Sequence, residues 1–181
     1  MTGVQTCALP IWGGRERLYD IQYPVYTLIT KPDLRAAEWI KRHTPESSLF
    51  LVNSFFAYDN NLIVGSDAGW WLPLTAQRNT TLPPLTYGIE KGPEEQYRAW
   101  VNYLSAIILE KGISHPEVLQ EMVEREVDYL YIGQQQGLVN TEKPLLSIDQ
   151  LLADAHFEIA YHQDRVWIFK FLGAEVVPDE N

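Results

Sequence analysis

The chain has 181 residues, 46% of them hydrophobic, 12% aromatic and 21% charged. That is the profile of one globular domain with enough chain to bury a core, and it excludes general disorder. Fourteen Lys and Arg stand against 24 Asp and Glu, a formal net charge of −10, which argues against unaided binding to nucleic acid or to an anionic membrane surface. A single cysteine, Cys7, excludes an internal disulfide and a multi-cysteine metal site. The four histidines are scattered, without the close helical spacing of a zinc motif. No run approaches the roughly 18 apolar residues needed to cross a bilayer. Neither a metal nor a cofactor is therefore expected, and the segment reads as soluble.

Residues 1–11, MTGVQTCALPI, show neither helical nor strand periodicity and lack the basic start and long apolar centre of a signal peptide. The string resembles the translated library-adapter sequence that contaminates metagenomic assemblies, which implies a non-native start and a protein that continues upstream. Residues 12–31 read as a linker from that upstream region, with an edge strand around Ile21, Tyr23, Val25 and Tyr26. A single domain is expected over 32–173, followed by a frayed acidic tail over 174–181.

The first clear helix follows Pro32. Asp33 falls in its first turn, Leu34, Ala37 and Ile40 share a face, and Thr44-Pro45 ends it. The continuous apolar run Leu49–Val52 suits a buried strand. Asn53–Asn61 reads as a loop, Leu62–Val64 as a second short apolar run, and Gly65–Gly69 as a turn-rich loop. Trp70–Gln77 fits a short helix, with Pro73 tolerable only in its first turn, and Asn79–Leu82 an extended segment stopped by Pro83-Pro84. The strongest helix spans Pro93–Lys111, where Tyr97, Trp100, Val101, Leu104, Ile107 and Ile108 recur at helical spacing before Gly112. Ser114 and Glu117 form a capping-box pattern for a helix that buries Val118, Leu119, Met122 and Val123. Val127–Ile132 reads as a strand, Gly133–Pro144 as a long polar loop, and Ile148–Ala153 as a short helix with a Ser147/Gln150 capping box. Phe157–Tyr161 and Val166–Leu172 read as a closing hairpin. Helices alternating with buried strands predict a layered α/β fold: a mostly parallel sheet flanked by helices, closing with a C-terminal antiparallel hairpin.

In such sheets ligands collect beyond the carboxyl ends of parallel strands. Three loops would lie there: Ser54–Asp59 with Tyr58 and Asp59, Ser66–Trp71 with Asp67, Trp70 and Trp71, and Gly133–Asn140 with Gln134, Gln135 and Gln136. Amides and carboxylates beside flat aromatic faces suit a carbohydrate, whose hydroxyls need donors and acceptors and whose C–H faces pack on rings. The bland reading makes the tryptophans core and the polar residues turn formers. Asp59 and Asp67 form a carboxylate pair for glycoside hydrolysis only if they flank one bond. His162 and Asp164 both fall at the hairpin turn, where surface chemistry outweighs a catalytic triad.

Four strings together resemble a known class of protein: DLRAAEWIKRHTPESSLFLVNS (Asp33–Ser54), GSDAGWWLPLTAQR (Gly65–Arg78), TLPPLTYG (Thr81–Gly88) and DYLYIGQQQG (Asp128–Gly137). They are similar to the C-terminal soluble region of uncharacterised bacterial polytopic membrane proteins of the GT-C glycosyltransferase type, and the resemblance covers about Asp20 to Leu172. It implies an extracytoplasmic α/β domain following many transmembrane helices, and a parent that transfers a sugar from a polyprenyl-phosphate donor. The catalytic aspartate of that class lies in a loop between membrane helices outside this chain, so the fragment would be an accessory domain, inactive alone. A fainter similarity runs to the WWDYG region of oligosaccharyltransferase catalytic subunits, although Asp67-Ala68-Gly69-Trp70-Trp71 does not keep the Trp-Trp-Asp order. What the resemblance implies is a surface that orients the acceptor. Asp67 would bond hydroxyls, Trp70 and Trp71 would stack, and Arg78 would pair with a phosphate or with Asp67, with Gln134–Gln136 as neighbours. The implied partners are the missing transmembrane region and a carbohydrate or lipid-linked sugar. The alternatives are a non-catalytic interaction domain of a membrane protein and a small standalone glycoside hydrolase.

Overall fold

The computed structural model describes residues 26–92 and 95–174. The adapter-like segment, residues 12–25 of the linker with its edge strand up to Val25, and all but the first residue of the acidic tail lie outside the described residues. Helix α1 (Lys31–His43) is followed by β1 (Leu49–Val52), β2 (Ser54–Ala57) and β3 (Leu62–Gly65). A 3-10 turn over Ala68–Trp71 runs into the one-turn helix α2 (Leu72–Thr75), then β4 (Asn79–Thr80) and a second 3-10 turn over Leu85–Gly88. Helices α3 (Tyr97–Lys111) and α4 (Pro116–Glu124), strand β5 (Val127–Ile132), helix α5 (Ile148–Ala153) and strands β6 (Phe157–Gln163) and β7 (Val166–Phe171) complete the chain.

Five strands form one sheet in the order β4-β1-β5-β7-β6. β1 lies parallel to both β4 and β5, whereas β7 runs antiparallel to β5 and β6. Every strand except β7 thus points the same way, and the α/β expectation holds, including the closing antiparallel hairpin. The hairpin register pairs Gln163 with Val166, leaving Asp164 and Arg165 as a two-residue turn with φ of 51° and 67°, the backbone that matches the twist of antiparallel strands. Along β6 the register against β7 slips between Ile159 and Tyr161, a bulge that bends the outer strand.

Both faces of the sheet are covered, which explains the apolar runs Leu49–Val52 in β1 and Tyr129–Ile132 in β5. Alternate residues divide between two cores. Leu51, Leu130, Ile132 and Phe169 face α3–α5 through Leu104, Ile108, Leu119, Met122 and Leu151. Phe50, Val52, Tyr131 and Ile168 face α1 and α2 through Ala36, Ala37, Ile40, Leu72 and Ala76. Ile40, Leu130 and Ile168 are completely buried, each worth about 1.5–3 kcal/mol of transfer free energy.

Several local expectations are corrected. The loop over Asn53–Asn61 contains β2, which pairs antiparallel with β3 as a separate hairpin. Its turn residues Tyr58, Asp59 and Asn60 all have positive φ without a glycine among them. The Leu62–Val64 run therefore belongs to that hairpin and not to the main sheet. The Ser114/Glu117 box does not form: His115 is the N-cap, and its Nδ1 accepts the Glu117 amide at 3.3 Å, while the Glu117 carboxylate meets Lys111 and Tyr103. Ser147 is an N-cap but makes no side-chain capping bond. Val123, expected in the core, is 42% exposed.

Candidate functional site

Strands β1 and β5 are parallel neighbours, so Asn53 and Gly133 emerge side by side at their carboxyl ends. The Ser66–Trp71 turn reaches the same place by another route. The β2–β3 hairpin pairs Ser54 with Gly65, returning the chain to the end of β1. Asp67 is then completely buried between the two loops. Its Oδ2 accepts the Gly133 amide and the Asn53 Nδ2, each at 3.0 Å, and its Oδ1 accepts the Gly69 amide at 2.9 Å. Val139 donates its amide to the Ser66 carbonyl at 3.0 Å, a second tie between the same loops. The loops Ser66–Trp71 and Gly133–Asn140 thus meet at one end of the sheet.

Asn53, itself fully buried, is the hub of this junction. Beyond Asp67 it accepts the Leu146 amide on Oδ1 at 2.9 Å, and its carbonyl accepts the Ser66 amide at 3.1 Å. Gly137 packs against it with φ +73°, and a Cβ there would lie 2.5 Å from Asn53 Cγ, so only glycine fits.

A second buried carboxylate joins from α1. Asp33 is 3% exposed. Its Oδ1 accepts the Tyr131 hydroxyl and the Gln134 amide, both at 2.9 Å. Its Oδ2 accepts the Thr30 amide at 2.8 Å and the Thr30 hydroxyl at 2.6 Å. Gly133 separates the two acids: a Cβ on it would lie 3.0 Å from Asp33 Oδ1 and 3.3 Å from Asp67 Cβ. Burial raises the Asp67 pKa to about 6 against the pull of its three donors, with the Asp33 charge adding to the rise. Burial, then the two nearby carboxylates, drives the Tyr131 hydroxyl well above the ordinary tyrosine range.

The tryptophans take a different position from the acid. Gly65 leaves room for Trp70, since a Cβ at 65 would sit 2.3 Å from Trp70 Cβ. Trp70 Nε1 donates to the Pro83 carbonyl at 3.4 Å, and Trp71 is 40% exposed. Together with Pro73, Leu74, Leu82, Pro83, Pro84 and Leu85 they line a groove of about 580 Å³, whose polar wall is Asn79 and Thr80. It lies beyond the carboxyl end of edge strand β4, with neither Asp67 nor Gln134–Gln136 in its lining.

Arg78 is not a ligand group. It is 4% exposed and points at the end of α1. Its Nε–H donates to Thr44 Oγ1 at 3.1 Å. One terminal nitrogen donates to the carbonyls of Ala76 and Gln77, and the other to those of Lys41 and Thr44 at 3.1 and 2.7 Å. The guanidinium thus makes five hydrogen bonds, two of them to carbonyls, Lys41 and Thr44, at the end of α1. The expected pairing with Asp67 or a phosphate is replaced by a helix cap.

Tyr58 and Asp59 sit exposed at the tip of the β2–β3 hairpin, at the far end from Asp67. The four paired positions of that ribbon separate Asp59 and Asp67 by roughly 10–15 Å at the ordinary strand rise, one exposed and one sealed. The carboxylate pair required for glycoside hydrolysis is therefore not formed. Gln134 to Gln136 are half-buried, and Gln134 and Gln136 reach the β6–β7 turn. Gln134 Nε2 donates to the Asp164 carbonyl at 3.4 Å, and Gln136 Oε1 accepts from Arg165 at 3.0 Å. His162 stacks on Trp167 and Asp164 pairs with Arg35. The polar and aromatic residues anticipated as one surface thus divide into a buried acid junction, a loop clamp and an apolar groove.

Sequence reasoning missed Asp33, Asn53, Tyr131, Asn79 and Thr80 as members of these structures. Thr30-x-x-Asp33 carries the spacing of a capping box, and a tyrosine within the run Val127–Ile132 needs a partner for its hydroxyl when buried. Among the described residues no cluster of three or more His, Cys, Asp or Glu could hold a metal ion, and no helix is long and apolar enough to cross a membrane. Comparison with known protein families, curated proteins and solved structures gave no match.

Proposed function

We propose that this chain is a non-catalytic accessory domain that holds a lipid-linked sugar in the Trp70–Trp71 groove, on behalf of a membrane-embedded glycosyltransferase-like parent at the extracytoplasmic face. The observation that carries the reading is the groove itself. Its volume suits a small ligand, its indole and proline faces suit the C–H face of a sugar ring, and Asn79 and Thr80 supply hydrogen-bonding groups at one wall. The predominance of apolar wall favours a sugar attached to a lipid over a free, fully hydroxylated one. The sequence strings shared with the GT-C class support the same assignment.

A purely holding role follows from the chemistry around the groove. The buried carboxylates and Arg78 spend their hydrogen-bonding capacity inside the protein, and among the described residues the groove's lining contains no titratable side chain. The test is a titration of the full chain, followed by tryptophan emission, with a short-chain polyprenyl-phosphate sugar in detergent. The bare polyprenyl phosphate and the free sugar serve as controls. Saturable binding of the sugar-bearing lipid, weakened at least tenfold in Trp71→Ala, is the expected result. No binding, or equal binding of the bare lipid, removes the sugar reading.

Leu74, 73% exposed at the groove's rim, favours a second reading, in which the groove receives an apolar segment of the parent's membrane region. A genomic reading frame that continues upstream without membrane spans would remove both.

A further inference from the structure

Asp33 and Asp67 are two carboxylates sealed from water on either side of one glycine. None of the ion pairs among the described residues includes either of them. The groups that face Asp67 are Asp33 from α1 and Tyr131 from β5. The end of β1 brings only the neutral amide of Asn53, and the loops bring backbone N–H groups. Behind Tyr131 stands a third hydroxyl, Tyr161 of β6. The Asp33 charge and the burial of Asp67 both disfavour a negative charge on Asp67, so a proton on Asp67 relieves both.

The pair also ties three separate pieces of chain together. Asp67 holds Gly69, in the turn that presents Trp70 and Trp71, and Gly133 at the end of β5. Asp33 holds Gln134 in the same loop and Thr30 at the start of α1. Freeing those loops would admit water to the carboxylates.

We propose that Asp67, beside the Asp33 carboxylate, is a proton-operated latch: with a proton on Asp67 the two loops stay closed over the strand ends, and with Asp67 charged they open more often, loosening the turn that carries the tryptophans. The proton comes from and returns to solvent, and no bond other than O–H is made or broken. The direction follows from linkage. Water entering the open junction returns Asp67 toward an ordinary carboxylate, which binds its proton less tightly than the closed junction does. Acid therefore favours closure and neutral pH favours opening. The span from 3.8 to about 6 at Asp67 sets a ceiling on the order of 100-fold in the opening equilibrium. The latch does not depend on what the groove binds.

Amide hydrogen exchange of the full chain at about pH 5 and pH 7.5, corrected for intrinsic exchange, tests it without any ligand. Protection at Gly69, Gly133 and Gln134 is expected to fall at least tenfold toward neutral pH relative to Leu130 and Phe169 in the sheet, and to become pH-independent in Asp67→Asn. Unchanged relative protection in the unmodified chain, or a difference that survives in Asp67→Asn, overturns the proposal. Should that variant not fold, carboxyl carbon-13 titration of the unmodified chain decides. A step near pH 6 shared with the Gly69 and Gly133 amides supports the latch. Completion of the Asp67 carboxyl titration below about pH 5 overturns it.

Discussion

Gly133 donates its amide to Asp67 across 66 positions of sequence, at 3.0 Å, and this one bond joins the end of β5 to the turn that carries the groove's tryptophans. Removing the acceptor leaves buried donors on Gly69, Gly133 and Asn53 without partners. Asp67→Ala is therefore expected to cost about 3 kcal/mol or more, read as the shift of the urea midpoint at constant slope.

The charge at Asp67 has a separate signature. Because its pKa is raised from 3.8 to about 6, the folded chain binds more protons than the unfolded chain between those values. Its contribution is fully present below the lower value and is lost as pH rises through the upper one, a change of about 3 kcal/mol. Asp154 works in the opposite sense. Its carboxyl is held low by hydrogen bonds and by His156, against its burial, so its contribution is lost on acidification. The difference in unfolding free energy between the unmodified chain and Asp67→Asn, measured from about pH 4 to pH 7.5, isolates the first effect. The unmodified chain should gain relative to the variant as pH falls.

At Arg78 the fork geometry matters more than the charge. Arg78→Lys keeps the positive charge but cannot reproduce bonds to Thr44, Lys41, Ala76 and Gln77 together. Both Arg78→Lys and Arg78→Ala are expected to lower stability, by about 2 and about 3–4 kcal/mol respectively, while the tryptophan emission maximum of the folded chain stays in place. Thermal or urea unfolding with an emission spectrum at each end checks both parts.

Gly112 and Gly137 separate backbone strain from steric conflict. Both have positive φ, but a Cβ at Gly112 meets open space, whereas at Gly137 it meets the Asn53 side chain at 2.5 Å. Gly112→Ala is expected to cost about 1 kcal/mol. Gly137→Ala should cost roughly 3 kcal/mol or more, because Asn53 must also move. Equal costs in paired urea titrations would show that the Asn53 junction yields.

The sheet was legible because its central strands are buried on both faces, so Leu49–Val52 and Tyr129–Ile132 stand out as unbroken apolar runs. The β2–β3 hairpin was not, since its turn at Tyr58, Asp59 and Asn60 uses left-handed backbone without the glycine that normally marks it. The convergence of Ser66–Trp71 and Gly133–Asn140 at one end of the sheet was expected for another reason, since Ser66–Trp71 follows β3 outside the main sheet and is returned there by the β2–β3 hairpin. The identity of the junction was not legible: Asp33 bonds to a residue 101 positions away and Arg78 to one 34 positions away. Local spacing shows Asp33 as a helix-start acid, Arg78 was expected to meet a phosphate or Asp67, and only the packing of α1 against the sheet gives them other work.

The slip in register at Ala160 has a consequence beyond the domain itself. A sheet that ends in open strands offers ready rails for association with a passing extended chain. Here one margin, β4, is only two residues long, and the other, β6, is bent midway along its length. Neither presents a straight row of free amides and carbonyls, so crowding many copies side by side should not drive them into fibrils.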